Sequence, residues 1–597
     1  MPIYKDPSYS VDERVDDLVS RLTREEKVGQ LYHHMIFPGP FNESDATRNS
    51  TFDMVVNKKM THFNLVGDVT NATETAALVN SIQKLALDNS RLGIPITLST
   101  DPRHAFTENV GTGFAAGSFS QWPETLGLAA LRDASLVRQF ADVVRQEYLA
   151  VGFKAALHPQ VDVSTEYRWA RTSGTWGEDA ELTAELIAAY IRGLQLGGPT
   201  PEGDEARTFG THSITTVTKH FPGGGPAEDG EDSHFVYGKN NTYPGGQLDY
   251  HLIPFKAAVA AGARQMMPAY SRPIGLLEDL GIPPVAFGFN KPVITGLLRG
   301  QLGFDGIVVT DWGLLTDAII RGQEMPARAW GLEDKSEVER CAAVFDAGCD
   351  QLGGEHRVDI VLEAMAQGLL SEDRVDVSVR KLMREKFILG IFDNPYVDVA
   401  AANELVGQEA FVKLGREAQR RSYTLLTNND AILPLKTPTT TTKFYIEGFN
   451  ATYMASRGLT VVETPAEADV ALLRFHAPSY PRPGGFESSF PSGSLEFTAE
   501  EKARQAEIYA AVPSVVDITF SRAVAIPEVF EQAAAVLGSY GSGPDAFLDV
   551  VFGASRPEGK LPFDLPRSQQ AVEESMEDVP FDTKDPVFRF GHGLSYE

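Results

Sequence analysis

The sequence predicts a (β/α)8-like TIM barrel followed by a six-stranded α/β sandwich domain. Three observations carry this. Short apolar runs that end in polar or small residues recur seven times in the first part of the chain, with helix-like segments between them, which favours a closed barrel over an open sheet. Around Phe392-Asp-Asn-Pro-Tyr-Val-Asp the helical pattern breaks, and a second strand–helix rhythm follows. With 597 residues, the chain is also too long for one hydrophobic core. These features place the barrel at 1–390, a linker at 391–412 and the second domain at 413–597.

In order, Ser10 with Glu13 and Thr23 with Glu26 make two capping boxes that open short helices carrying Val15, Leu18 and Leu22 inward. The barrel strands are then expected at Phe63-Asn-Leu-Val-Gly, Ile94 to Asp101, Lys154 to His158, Ile214 to His220, Arg264 to Tyr270, Ile307 to Asp311 and Cys349 to Gly354. That is one strand short of eight. Helices are expected at Thr73 to Asp88, Ser135 to Val151, Ala180 to Leu194 and Lys291 to Leu302. A connecting helix, Gln408 to Ser422, leads to strands at Tyr423, Phe444, Val461, Val470, Val515 and Ala535, with helices at Ala499 to Ala511 and Asp545 to Phe552 between them. The loop Pro478 to Gly493 is long for a compact domain and carries Tyr480, Phe486, Phe490 and one carboxylate, Glu487, which marks it as functional.

Composition narrows the partners. With 81 acidic against 53 basic residues the net charge is −28, which repels phosphate backbones and anionic membranes, so no nucleic acid is expected. No run of about 18 apolar residues spans a membrane. The polar stretch Met1 to Ser10 has no secretion-signal pattern, so the chain as given is expected to be cytoplasmic, or secreted with its signal removed. Cys341 and Cys349 make neither a zinc pattern nor a disulfide framework. No metal or cofactor is expected, and homo-oligomerisation stays open.

Chemistry concentrates at strand ends, where the active face of a parallel barrel lies. In Gly306-Ile-Val-Val-Thr-Asp-Trp-Gly313 a buried β-branched run stops at Asp311 and Trp312. Other strand ends present Asp101 and His104, Arg171, Lys219 and His220, and Tyr270. Charged and hydrogen-bonding groups converging with aromatic rings suit a neutral, polyhydroxylated ligand, that is, a sugar.

Lys219-His-Phe-Pro-Gly-Gly-Gly225, Thr310-Asp311-Trp312, Arg168-Trp-Ala-Arg-Thr-Ser-Gly-Thr-Trp-Gly-Glu-Asp179, Pro557-Glu-Gly-Lys-Leu-Pro-Phe563 and Phe590-Gly-His-Gly-Leu-Ser-Tyr596 together make the chain similar to glycoside hydrolase family 3 over nearly its whole length. The resemblance implies a barrel followed by a six-stranded sandwich, and retaining hydrolysis of β-glycosides from the non-reducing end. Asp311 would be the nucleophile, with Asp101, Arg171, Lys219 and His220 on the sugar hydroxyls; Tyr270 and Trp312 complete the expected pocket. The family's frequent Pro-Gly-His-Gly is here Pro-Gly-Gly-Gly, and the following loop, Pro226 to Lys239, is lengthened, as in its exo-acting glucosidases and glucanases.

A retaining mechanism needs one ionised and one protonated carboxyl about 5 Å apart. Lys219 or Arg171 is expected beside Asp311, and Glu487, on an apolar aromatic loop, is the expected acid/base. Glu496 ranks second, because Leu495-Glu-Phe497 resembles a short strand leading into a helix capped by Thr498. A rival activity, β-N-acetylglucosaminidase, would use Asp232 and His234 of an Asp-Ser-His triplet, although the Gly-Asp-Thr that usually leads to it is missing. A non-catalytic sugar-binding protein is the alternative of another class.

Overall fold

The computed structural model describes residues 1–596 apart from 46–48, 110, 200–202, 204–206 and 276–279. In chain order the first strands are β1 (Tyr32–Ile36), β2 (His62–Leu65), β3 (Thr97–Thr100), β4 (Ala155–Ala156), β5 (Thr215–Phe221), β6 (Asn240–Thr242), β7 (Gln265–Pro268), β8 (Arg272–Ile274), β9 (Ile307–Trp312), β10 (Ala318–Ile320), β11 (Gln323–Met325) and β12 (Gln351–Gly353). Eight of them close a parallel barrel in the order β1-β12-β9-β7-β5-β4-β3-β2. β6 with β8, and β10 with β11, make two small sheets among the loops.

The strand the sequence reading lacked is β1. Tyr32-His-His-Met-Ile is not an apolar run, yet His33 is buried and its Nε2 meets Ser99 Oγ at 2.7 Å. Burial pushes the pKa of His33 down to about 3, so the ring enters the core neutral. Alternation sorts the other strands: Met266 and Val308 join the core shared with the helices, while Met267 and Val309, with Leu157 and Val217, make a small apolar plug. Both N-terminal capping boxes form, at Ser10 with Glu13 and at Thr23 with Glu26.

The last barrel helix is Glu372–Ile388; helices Val399–Leu405 and Glu409–Ser422 follow, and Phe411 and Ala418 of the latter pack into the barrel core. The second domain is one six-stranded sheet, β13 (Thr424–Asn428), β14 (Lys443–Glu447), β15 (Thr460–Val462), β16 (Val470–His476), β17 (Ser514–Thr519) and β18 (Ala535–Ser539), in the order β13-β18-β17-β16-β14-β15. β13 runs antiparallel to β18 and the other pairs are parallel. Leu473, Val516, Ile518 and Val536 point to one apolar layer; Leu472, Val515 and Leu537 point to the other. Leu495-Glu-Phe497, expected as a strand, is not one: Leu495 N–H donates to Gln569 Oε1, and Glu496 Oε1 accepts from the Gln569 N–H, so both bond to a distant segment instead of a ladder.

The two domains are stitched by buried polar groups. Glu178 of the barrel accepts from Tyr167 Oη at 2.8 Å and from the N–H groups of Asp564 and Phe581 at 3.0 and 2.6 Å. Asp578 accepts in turn from the N–H groups of Gly245 and Gln247. No helix among the described residues is long and apolar enough to cross a membrane.

Candidate active site

The apolar run of β9 delivers Asp311 to the C-terminal mouth of the barrel, with the residue 8% exposed. Its two oxygens differ. Oδ1 accepts from the Trp312 N–H at 2.8 Å, whereas Oδ2, among the described residues, has no hydrogen-bond partner and faces His220 Nε2 at 3.7 Å. The expected cation beside Asp311 is elsewhere: Lys219 Nζ donates to Asp101 Oδ1 at 3.2 Å and Arg171 donates to Gln160 Oε1 at 3.3 Å. The reason is strand order. β5 lies two strands from β3, within reach of a lysine stem, and the next residue, His220, is the one that turns to Asp311.

His220 is oriented from behind by Asp162, which local sequence did not reveal. Asp162 is fully buried and accepts from His220 Nδ1 at 2.8 Å, from the His220 N–H at 3.2 Å and from the Gly224 N–H at 2.6 Å. Burial works to raise its pKa, but His220, the Gly224 N–H and Arg171 outweigh it and the net shift is downward. For His220 burial wins over the attraction of Asp162 and Asp311, and its pKa falls. A neutral ring facing an ionised Asp162 carries its proton on Nδ1, so Nε2 is left as an acceptor toward the pocket. His220 Nε2 and Asp311 Oδ2 therefore form a pair of acceptors suited to hydroxyl groups.

The run Pro222-Gly-Gly-Gly225 follows directly from this packing. A Cβ on Gly225 would sit 1.8 Å from the Val163 carbonyl oxygen, and one on Gly224 3.2 Å from the Trp169 ring. Trp169 thus fills the space that a side chain at 224 would need. Gly225→Ala is expected to cost about 1–3 kcal/mol by overpacking, seen as a lower thermal midpoint than wild type.

Asp101 is anchored on its other side, where Oδ2 accepts from Asn64 Nδ2 at 3.0 Å; Asn64 Oδ1 accepts from Ser99 Oγ, the partner of His33. His33, Ser99, Asn64, Asp101 and Lys219 therefore form one hydrogen-bonded floor across β1, β2, β3 and β5. Tyr270 does not direct its hydroxyl freely into the pocket. Its Oη donates to the Trp312 carbonyl and accepts from the Trp312 N–H, both at 2.8 Å, clamping the main chain beside Asp311. Burial, then the Asp311 charge, holds its pKa well above the ordinary tyrosine value. Trp312 lies against the main chain of Gly353 and Gly354 and 5.5 Å from the His33 ring. His104 is paired with buried Glu147 at 2.8 Å, and Arg103 is spent on the carbonyls of Leu65 and Gly67. A cavity of about 190 Å³ opens beside Arg171 and Lys219, with Phe490 among its walls.

The loop 478–493 comes from the second domain and closes over the barrel. Phe486 and Phe490 are buried with Ala170, Phe235 and Met325. Glu487 does not share that apolar surface. The aromatic rings turn into the barrel, and the carboxylate lines a groove of about 460 Å³ with Arg168, Asp232, Tyr237 and Arg482. Asp232 and His234 are also near. His234 Nδ1 meets Asp232 Oδ1 at 2.6 Å, and its ring centroid lies 4.8 Å from Tyr270, 5.2 Å from Phe490 and 5.7 Å from Phe486. Glu496, by contrast, is tied to Lys502 and the Gln569 main chain. Among the described residues no group of three or more His, Cys, Asp or Glu is placed to hold a metal ion.

Residues 23–385 match the Glycosyl hydrolase family 3 N terminal domain and residues 458–596 the Glycosyl hydrolase family 3 C-terminal domain. The chain is 63% identical to "Beta-glucosidase C" of Emericella nidulans, over 100% of this chain and 94% of that protein, and 62% identical to "Probable beta-glucosidase C" of Aspergillus oryzae, over 100% and 91%. It is 38% identical to "Periplasmic beta-glucosidase/beta-xylosidase" of Dickeya chrysanthemi, over 99% and 91%. Among solved structures, a β-glucosidase from Listeria innocua in complex with isofagomine shares the fold, with a TM-score of 0.74 at 21% identity over 98% of this chain and 83% of that one.

Proposed function

We propose that this chain, which belongs to glycosyl hydrolase family 3, is an exo-acting β-glucosidase that releases β-glucose from the non-reducing end with retention of configuration. The observation that carries the reading is Asp311 at a barrel strand end, one oxygen held by the Trp312 N–H and the other unpartnered, among the described residues, beside a neutral His220.

In the proposed reaction Asp101, Lys219, His220 and Arg171 hold the hydroxyls of the terminal sugar, and Trp312 supplies an apolar face. Asp311 Oδ2 attacks the anomeric carbon; the bond from that carbon to the leaving oxygen breaks as Glu487 gives that oxygen its proton. A glycosyl ester on Asp311 results. Glu487, now ionised, takes a proton from water, whose oxygen attacks the same carbon and frees Asp311. The groove that Glu487 lines shares Ala170, Phe490 and Pro491 with the cavity beside Lys219 and Arg171. In this reading residues 1–390 supply the nucleophile and sugar pocket, and 413–597, beyond the 391–412 linker, supply the acid/base.

A panel of aryl β-glycosides tests the substrate class: turnover should be highest for the β-glucoside and run with net retention by NMR. An inverted product, or turnover confined to the N-acetylglucosaminide, would refute the reading. Asp162→Asn tests the positioning of His220. It removes the ionised acceptor that keeps the proton on Nδ1, and kcat/KM for the β-glucoside is expected to fall about 10–100-fold, the worth of a charged hydrogen bond. An unchanged value would show that Asp162 serves only packing.

A further inference from the structure

The two ends of loop 478–494 converge on one buried side chain. Arg522, which follows β17, is 0% exposed. Its Nη2 donates to the carbonyls of Pro478 and Ser492 at 2.8 Å each and of Ser494 at 3.3 Å, and its Nη1 donates to the Arg168 carbonyl at 3.0 Å. Pro478 and Ser492 to Ser494 are the two ends of the loop, and Arg168 belongs to the barrel. One guanidinium therefore closes the neck of the loop and fastens it to the other domain.

The contact is made with carbonyls, not with a carboxylate: among the described residues Arg522 forms no ion pair, and its acceptors are main-chain oxygens. Burial lowers its pKa to about 10, still far enough above neutrality to keep the charge. A buried charge whose hydrogen bonds all go to main-chain carbonyls is costly to place, even with the Glu166 carboxylate near enough to favour it, and this points to a geometric task. The planar fork of arginine suits convergent carbonyls, whereas the compact ammonium of lysine on a flexible stem does not. The Tyr480 N–H and the Ser492 carbonyl, 2.8 Å apart, complete the neck. At the other end Gln323 Oε1 accepts from the N–H groups of Phe486 and Glu487 at 2.9 and 3.0 Å, and Asn109 Nδ2 donates to the Ser489 carbonyl at 3.0 Å. Glu487 thus sits on a segment fixed to the barrel at its tip and through Arg522 at its base.

We infer that Arg522 is the positioning residue for the proton donor of this loop: it touches neither sugar nor reacting atoms but sets where the donor's carboxyl stands over the barrel. The inference rests on the reading of Glu487 as acid/base, and its test separates the two.

Three variants, Arg522→Lys, Gly493→Ala and Glu487→Ala, are assayed on phenyl β-glucoside, whose departure needs a proton, and on 2,4-dinitrophenyl β-glucoside, whose departure does not. Arg522→Lys is expected to lower kcat/KM about 10–100-fold on the phenyl substrate, as a donor misplaced by about 1 Å would, and to leave the dinitrophenyl value nearly unchanged. Gly493→Ala loosens the same neck without touching the buried arginine, since φ is +75° there and a Cβ would meet the Tyr480 Cβ at 3.0 Å; it should give the same selectivity, more weakly. If Arg522→Lys does not fold by circular dichroism, Gly493→Ala decides. Parallel loss on both substrates, or loss on neither, overturns the inference. Selectivity in Arg522→Lys without selectivity in Glu487→Ala upholds the neck and moves the donor to another group on the loop.

Discussion

Asp311→Asn is expected to fold as wild type and to lose turnover by about 10⁴-fold or more, because removing a covalent nucleophile leaves only binding and electrostatic contributions. The amide preserves the shape and the acceptor that Oδ1 offers to the Trp312 N–H, so thermal stability should change little. Among the described residues, neither carboxylate close by stands ready to replace it. Asp101 is engaged by Lys219 and Asn64, and Asp162 is fully buried behind His220. Incubation with 2-deoxy-2-fluoro β-glucosyl fluoride should trap the ester, and peptide mapping should find the label on Asp311. Label on any other residue, or turnover by the Asp311→Asn variant within about tenfold of wild type, would remove Asp311 from its assigned place.

Local signals were enough for the strands of the second domain and for β9, since Val515-Val-Asp-Ile and Ile307-Val-Val are β-branched runs that only a buried strand accommodates. They were not enough where a strand's burial depends on a distant partner. Tyr32-His-His-Met-Ile becomes β1 only because Ser99 accepts or donates at His33 Nε2 and burial keeps that ring neutral. Asp162 carries no local mark either: its partners, His220 and Gly224, lie 58 and 62 residues on and meet it only once the barrel closes. The strand ends were legible as a set, but not their pairing. Lys219 and His220 are adjacent in sequence and yet serve Asp101 and Asp311 respectively, a division set by the geometry of neighbouring strands. The loop 478–493 stood out by its length and aromatics, while the side to which Glu487 turns was fixed by Gln323 and the buried phenylalanines.

The acid/base gives the second large effect. Glu487→Ala is expected to lower kcat/KM on phenyl β-glucoside about 10²–10⁴-fold, the usual worth of general acid–base catalysis, while 2,4-dinitrophenyl β-glucoside still forms the ester at close to the wild-type rate. Deglycosylation then limits turnover, since the base that activates water is gone; azide, which needs no base, should restore it and yield β-glucosyl azide. Two features favour Glu487 over the Asp232 and His234 pair. Glu487 and Asp232 line the same groove, but the Asp232 carboxylate is held by His234, whereas the main chain of Glu487 is pinned to the barrel hairpin by Gln323. The His234 ring is walled by Tyr270, Phe486 and Phe490, and its Nδ1 is tied to Asp232, an arrangement that closes the pocket. His234→Ala should therefore weaken both substrates alike and gain nothing from azide. In the trapped 2-fluoro ester the Glu487 carboxyl should stand about 5 Å from that of Asp311, the separation retaining hydrolysis requires. If His234→Ala instead shows the leaving-group dependence and the azide product, and Glu487→Ala does not, the proton comes from the barrel loop.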